Sequence, residues 1–282
     1  MRSVLLRYPM GRKKAVTFSY DDGVKQDKRL AEIFDKYGLK GTFNFNSDSF
    51  RCNYTKEEID EIFLSKGHEI AVHGEFHRAT GHLRPIEGIR DVLNCRIELE
   101  EKCDRIIRGM AYPDSGIRSF GNFGNYEQVK NYLTELDIAY ARTLGGDNNS
   151  FLLPDDFHAW MPTAHHNNPQ IMEYIDEFLN LDLSANTYYA RRMSRLFYIW
   201  GHSYEFDNNN NWEHIEEICK KLSNNDEIWY ATNIEIYDYV EGYKNLRYSA
   251  DGHKVYNPSL FTIWIEVDST IYSVEPGKTI II

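Results

Sequence analysis

The stretch Ala15-Val16-Thr17-Phe18-Ser19-Tyr20-Asp21-Asp22-Gly23 decides how the rest of this chain is read. A run of β-formers ending in two adjacent acids and a glycine reads as a buried strand that delivers carboxylates to the mouth of a fold. Two neighbouring carboxylates are costly to bury unless they are solvated at a turn or meet a cation. What surrounds the stretch chooses between those two.

Outward from it, strands and helices alternate. Residues 25–37 carry Leu30, Ile33 and Phe34 at helical spacing before Gly38, and 41–46 alternate like a strand. Thr55 with Glu58 forms a capping box for a helix that Gly67 ends, and a strand follows at 69–73. The rhythm continues with a helix over 86–103, a strand near Met110, a helix over 126–136 and a strand over 138–142. Residues 143–169, rich in Gly, Asn, Asp, Pro and His, read as a loop region with one strand over 157–163. Helices over 169–179 and 212–222, strands over 196–200 and 228–232, and a helix to about Leu246 complete the series. The fold class expected is α/β, a (β/α) barrel, distorted, of seven or eight units, since strand-helix-strand repeats build parallel sheets. The tail breaks the pattern with short strands and no helices between them. The division expected is therefore a catalytic barrel over 1–246 and a small β appendage over 247–282.

A length of 282 residues with 42% hydrophobic content is enough for one large core. The formal net charge of −11 argues against a nucleic-acid or anionic-membrane partner, because phosphate binding needs concentrated positive charge. No stretch approaches the roughly 20 apolar residues of a membrane span, and the opening residues lack a signal-peptide core, so a cytoplasmic location is expected. The four cysteines, Cys52, Cys95, Cys103 and Cys219, show no C-x-x-C spacing and are expected to be buried, reduced thiols. Oligomeric state is not legible.

A second stretch carries chemistry: Gly67-His68-Glu69-Ile70-Ala71-Val72-His73-Gly74-Glu75-Phe76-His77. His73 and His77 sit four apart just beyond a strand, a spacing that on a helical turn brings two imidazoles to one face. Strand C-terminal ends share one face of a parallel barrel, so these histidines and the acids at 21 and 22 converge. Two imidazoles and one carboxylate make a zinc-type catalytic set, and the second acid is then available as a general base. His68 precedes the strand and belongs at its opposite end.

Together these residues resemble the polysaccharide deacetylases of NodB-homology type, carbohydrate esterase family 4. Asp21-Asp22-Gly23 after Val16-Thr17-Phe18 is similar to the family's first motif, with Ser19 and Tyr20 intervening. His73-Gly74-Glu75-Phe76-His77 is similar to the second, with Gly74 where a hydroxyl residue is usual. The resemblance implies Asp21 as catalytic base, Asp22, His73 and His77 as metal ligands, and His202, in Trp200-Gly201-His202, as general acid. Trp200 would line the pocket for the acetyl methyl. In the third motif, Ala111-Tyr112-Pro113-Asp114-Ser115-Gly116, Ala111 stands in place of the arginine that steadies the base, so Arg108 or another arginine would substitute. A backbone N–H near Asp114 would face an oxyanion. Tyr112, Pro113, Asp114, Trp160 and Trp200 are the expected substrate contacts. Asp155, Asp156 and Trp160 lie in the fourth-motif region, and His165 and His166 are accessory ligands, substrate contacts or plain surface loop.

The activity expected is metal-dependent removal of acetyl groups from an N-acetylated or O-acetylated carbohydrate. One divalent ion is implied, zinc first, with cobalt, nickel or iron also acceptable to the set. The alternatives are a hydrolase of small cyclic imides or ureides on the same scaffold, and a carbohydrate-binding protein without catalysis.

Overall fold

A computed structural model describes residues 3–47, 54–122, 124–145, 149–184 and 192–282. Cys52 and residues 146–148 of the 143–169 loop lie outside the described residues. The order begins β1 (Val4–Arg7), β2 (Lys14–Asp21), α1 (Asp27–Lys36), β3 (Gly41–Phe45), α2 (Lys56–Ile59), β4 (Glu69–Val72), α3 (Pro85–Cys103) and β5 (Gly109–Ala111). It continues with α4 (Tyr126–Glu135), β6 (Tyr140–Arg142), β7 (Ala164–His165), α5 (Ile171–Leu179), β8 (Arg195–Gly201), α6 (Tyr204–Asn208), α7 (Trp212–Leu222), β9 (Ile228–Tyr230) and α8 (Asn233–Lys244). The tail holds β10 (Arg247–Tyr248), β11 (Lys254–Tyr256), β12 (Ile263–Val267), β13 (Thr270–Val274) and β14 (Thr279–Ile281).

The opening stretch is the centre of the sheet. All of β2 is buried, and it pairs in parallel with β8 on one edge. On its other edge it pairs with β9 along its first half and with β3 along its second. The full order is β6-β5-β4-β3-β2-β8-β7, parallel throughout, the sheet of a (β/α) barrel. The 160–165 segment links the two ends: Trp160 N–H donates to Ala141 O (3.1 Å), Thr143 N–H to Trp160 O (2.9 Å) and Thr163 N–H to Tyr198 O (2.8 Å).

Period-two alternation explains what β2 does. Val16, Phe18 and Tyr20 face outward, where Phe18 and Tyr20 pack on Phe34 of α1 at 4.7 and 5.9 Å between ring centroids. Thr17, Ser19 and Asp21 face the lumen, where Thr17 Oγ1 donates to Asn233 Oδ1 (2.8 Å). Ser19 and Asp21 meet Asn44 and Arg142 there. The lumen is thus polar along its axis, and each of these buried groups is hydrogen-bonded, as burial requires.

One local expectation is corrected. Residues 157–163 do not form a strand. Asp156 Oδ1 accepts from His158 N–H (2.9 Å) and caps a helical turn over Phe157–Ala159, so the strand begins later, as β7. The capping box does form, Glu58 N–H donating to Thr55 Oγ1 (3.2 Å) and Thr55 N–H to Glu58 Oε2 (2.9 Å).

In the tail, β10, β11 and β14 make one antiparallel sheet, and β12 and β13 make another that recruits β1 from the other end of the chain. Ala15, Leu196, Ile236, Tyr239, Val255, Ile263 and Ile265 share one apolar cluster beneath the barrel. Arg7 and Glu266, both buried, pair at 2.8 Å across the β1–β12 ladder. No helix among the described residues is long and apolar enough to cross a membrane. Cys95, Cys103 and Cys219 are buried thiols.

Candidate active site and metal centre

Asp21 is the last residue of β2, and the chain turns at once through left-handed conformations at Asp22 (φ 84°) and Gly23 (φ 64°). Such a φ is unfavourable for a residue with a Cβ, and strain of this kind persists where surrounding structure fixes it. The turn swings the Asp22 carboxylate to the histidines following β4. Asp22 Oδ1 lies 3.6 Å from His73 Nε2 and 3.3 Å from His77 Nε2.

The two imidazoles do not meet on a helical turn, as the four-residue spacing suggested. The segment after β4 is irregular, with positive φ at Gly74 (75°) and His77 (54°), and it folds the rings to 5.0 Å between centroids. Gly74 is required twice over: its φ is left-handed, and a Cβ would stand 2.4 Å from Asp91 Oδ2. Asp91, on α3, in turn accepts Phe76 N–H (3.0 Å), tying the turn to the helix.

The tautomer of His73 follows from its neighbours. Ala111 O accepts from Nδ1 at 2.9 Å, which leaves the Nε2 lone pair facing Asp22, and Nε2 makes no hydrogen bond among the described residues. A buried ring nitrogen without a donor or acceptor, beside a carboxylate and a second imidazole, fits a divalent cation. Asp22, His73 and His77 offer donor atoms all within 4.8 Å of one another.

Asp21 is fixed differently. Asn44 Nδ2 donates to its Oδ1 (2.9 Å), and the buried guanidinium of Arg142 donates from Nη2 to its Oδ2. Arg142 is held in turn by Ser19 Oγ, which accepts from Nε at 3.2 Å, and by the Trp200 ring at 4.6 Å. Burial alone would raise the Asp21 carboxyl, but Arg142, His73 and His202 outweigh it and hold it below the usual range. Arg108, by contrast, pairs with Asp137 (3.0 Å) and Asp238 (3.6 Å), away from the site. Position 111 is Ala, and its register partner on the next strand is Arg142.

His202 follows β8, its Nδ1 2.9 Å from Glu205 Oε1. Burial would lower its pKa, but Glu205, Asp21 and Asp22 together raise it. Glu205 is a hub: Oε2 accepts from Asn167 Nδ2 (2.7 Å) and faces His166 Nε2 (3.0 Å) and His165 Nε2 (3.4 Å). These two histidines and Glu205 also have metal-ligand spacing. Asn167 N–H, however, donates to His165 Nδ1 (3.1 Å), so the proton of that neutral ring sits on Nε2, as a donor toward Glu205 rather than a ligand lone pair. His166 is wholly buried, not on a surface loop, and Gly201 has no Cβ because one would strike His166 Nδ1.

Of the expected substrate contacts, Trp200 is half-buried and stands between Arg142, His165 (4.7 Å) and His202 (5.8 Å). Pro113 lies against Gly74, and Asp114 is exposed in a left-handed turn. Two are corrected. Trp160 is 1% exposed, packed among Tyr140, Phe157 and Tyr198 in the cluster beneath the barrel. Tyr112 is buried, its hydroxyl donating to His158 O (2.8 Å). His68, at the opposite end of β4, accepts Gly41 N–H (3.1 Å) and faces Asp35 (3.3 Å). Sequence reasoning missed Glu205 and Arg142. The i, i+3 spacing of His202 and Glu205 was a signal for the first, whereas nothing local marked the second.

Comparison with known proteins shows what the chain is similar to. The model described as polysaccharide deacetylase matches residues 8–137. A search of curated proteins finds no match. A Mycobacterium smegmatis structure named for polysaccharide deacetylase is 18% identical, covering 86% of this chain and 95% of its own, with a TM-score of 0.58. One from Pseudomonas aeruginosa PAO1 with the same family name is 12% identical, covering 82% and 91%, with a TM-score of 0.59. A mutant of BA3943, a Bacillus anthracis CE4 pseudoenzyme, with restored activity is 12% identical, covering 83% and 70%, with a TM-score of 0.51. At these identities the structures speak to fold alone, and a pseudoenzyme among them leaves catalysis to be argued from residues. Asp21, Asp22, His73 and His77 all lie inside the matched residues, on the barrel fold those structures share, and over residues 8–137 the chain is similar to the polysaccharide deacetylase family.

Proposed function

We propose that the chain is a metal-dependent deacetylase of an N-acetylated or O-acetylated carbohydrate. The observation that carries the reading is the convergence of three differently tuned groups at one strand-end face: the Asp22–His73–His77 cluster, Asp21 on Arg142, and His202 on Glu205. A divalent ion held by Asp22, His73 and His77, zinc by preference for this donor set, would polarise the acetyl carbonyl and acidify water.

The chain's own residues do the rest. Asp21, kept ionised by Arg142 and Asn44, takes the proton of the attacking water as its oxygen bonds to the acetyl carbon. When the C–N bond breaks, the amine nitrogen takes the proton of His202, whose imidazolium form Glu205 favours. Because Nδ1 is engaged by Glu205, the donating atom is Nε2. Acetate and a free amino sugar leave, and Trp200, beside both Arg142 and His202, shields the acyl side from water.

The test is acetate release across a panel of N- and O-acetylated sugars, run beside small cyclic imides. Acetate from an acetylated sugar, abolished in Asp21→Asn protein that keeps its metal, supports the reading. Ring opening of an imide without acetate release replaces it.

A further inference from the structure

We infer that the cavity beside the metal-site turn is a subsite for an anionic substituent, a carboxylate or a phosphate, on the saccharide. The inference rests on the deacetylase reading and names a substrate class for it. The cavity, of about 420 Å³, is walled on one side by the turn that carries His77, through Phe76 and Arg78, and on the other by Leu83, just before α3, and by Arg90 and Asn94 in its first half. Arg78 follows His77 directly, so this wall adjoins the turn that carries one member of the cluster.

The charges on the wall decide what it takes. Its acids are already engaged. Glu87 pairs with Arg84 (2.6 Å), Glu75 Oε2 accepts from Asn94 Nδ2 (2.8 Å), and Asp91 is buried beneath the turn and accepts Phe76 N–H. Its two arginines are exposed, and among the described residues neither side chain makes a hydrogen bond or an ion pair. On a chain with a net charge of −11, these two guanidiniums stand on one cavity without an acidic partner among the described residues. Guanidinium forks match carboxylate and phosphate oxygens, and such contacts are stronger than neutral hydrogen bonds. Phe76, 57% exposed between the two metal-site histidines, supplies an apolar face beside them.

The test is calorimetric binding of three N-acetylated oligosaccharides of equal length, one neutral, one bearing carboxylates and one bearing phosphates, with acetate release measured in parallel. The wild-type protein should bind an acidic ligand about tenfold more tightly than the neutral one at low salt. In the Arg78→Gln/Arg90→Gln protein the ratio should fall to about one, and the better acidic ligand names the substituent. Equal affinities in the wild type, or a preference that survives in the double variant, overturn the subsite. Acetate release from neutral and acidic sugars without any binding preference sinks the subsite and leaves the deacetylase reading standing. A preference without acetate from any sugar does the reverse.

Discussion

The guanidinium of Arg142, at the end of β6, holds the carboxylate of Asp21, at the end of β2, across the lumen of the barrel. Ala111, beside Arg142 in the register, contributes only its carbonyl, which orients His73. Arg142→Ala should lower kcat/KM by about a hundredfold or more, the scale of a lost general base. It should also destabilise the fold by about 3 kcal/mol by leaving a buried carboxylate unpaired. Arg142→Lys keeps a charge near Asp21 and should recover much of the stability but little of the rate. Urea unfolding beside steady-state kinetics separates the two effects.

Glu205 acts through His202. Its carboxylate raises the imidazole's pKa, so its removal lowers that pKa and shifts the alkaline limb of the pH–rate profile to lower pH. In Glu205→Gln protein kcat/KM at neutral pH should fall about tenfold, with recovery as pH is lowered. A uniform fall at all pH values would leave Glu205 with a packing role alone.

Much of this was readable in advance. Hydrophobic rhythm marked the barrel, and the Asp-Asp-Gly and His-x-x-x-His stretches marked the cluster, because each follows a strand and the strand ends of a parallel barrel share one face. Arg142 was not readable, since only the β5–β6 register aligns it with Ala111 and only barrel curvature brings it to Asp21. Trp160 misled for the converse reason. It sits among acids in the sequence, but the capped turn at Phe157–Ala159 delays the strand and turns the indole into the core below. The partnership of β1 with β12 also had no local mark, because residues 259 positions apart cannot declare a pairing.

Gly74 should resist substitution. Serine there meets both a left-handed φ and Asp91 Oδ2 at 2.4 Å from its Cβ. Gly74→Ser should cost about 1–3 kcal/mol and weaken metal retention through His73 and His77. Gly74→Ser/Asp91→Ser should recover part of the loss, read by thermal unfolding and metal content.

Glu69 lies at the far end of the lumen, accepting from Tyr140 Oη (2.7 Å), Thr42 Oγ1 (2.8 Å) and Ile234 N–H (3.0 Å). Burial pushes its carboxyl up to about 7 despite these donors. An acid whose folded pKa exceeds its unfolded value stabilises the fold in its protonated form. That contribution is complete below about 4.5 and is lost as pH rises through about 7, a change of about 3 kcal/mol. The unfolding free energy of wild type minus that of Glu69→Gln should therefore decline across this window. A flat difference would mean that Glu69 does not titrate there.

The central claim is that Asp22, His73 and His77 hold one catalytic metal ion beside Asp21. The most direct measurement is acetate release from an N-acetylated oligosaccharide by metal-stripped protein titrated with zinc. The account predicts negligible release at the start and a rise that saturates at one zinc per chain, with no rise in His73→Ala protein. Full release by the stripped protein would contradict it.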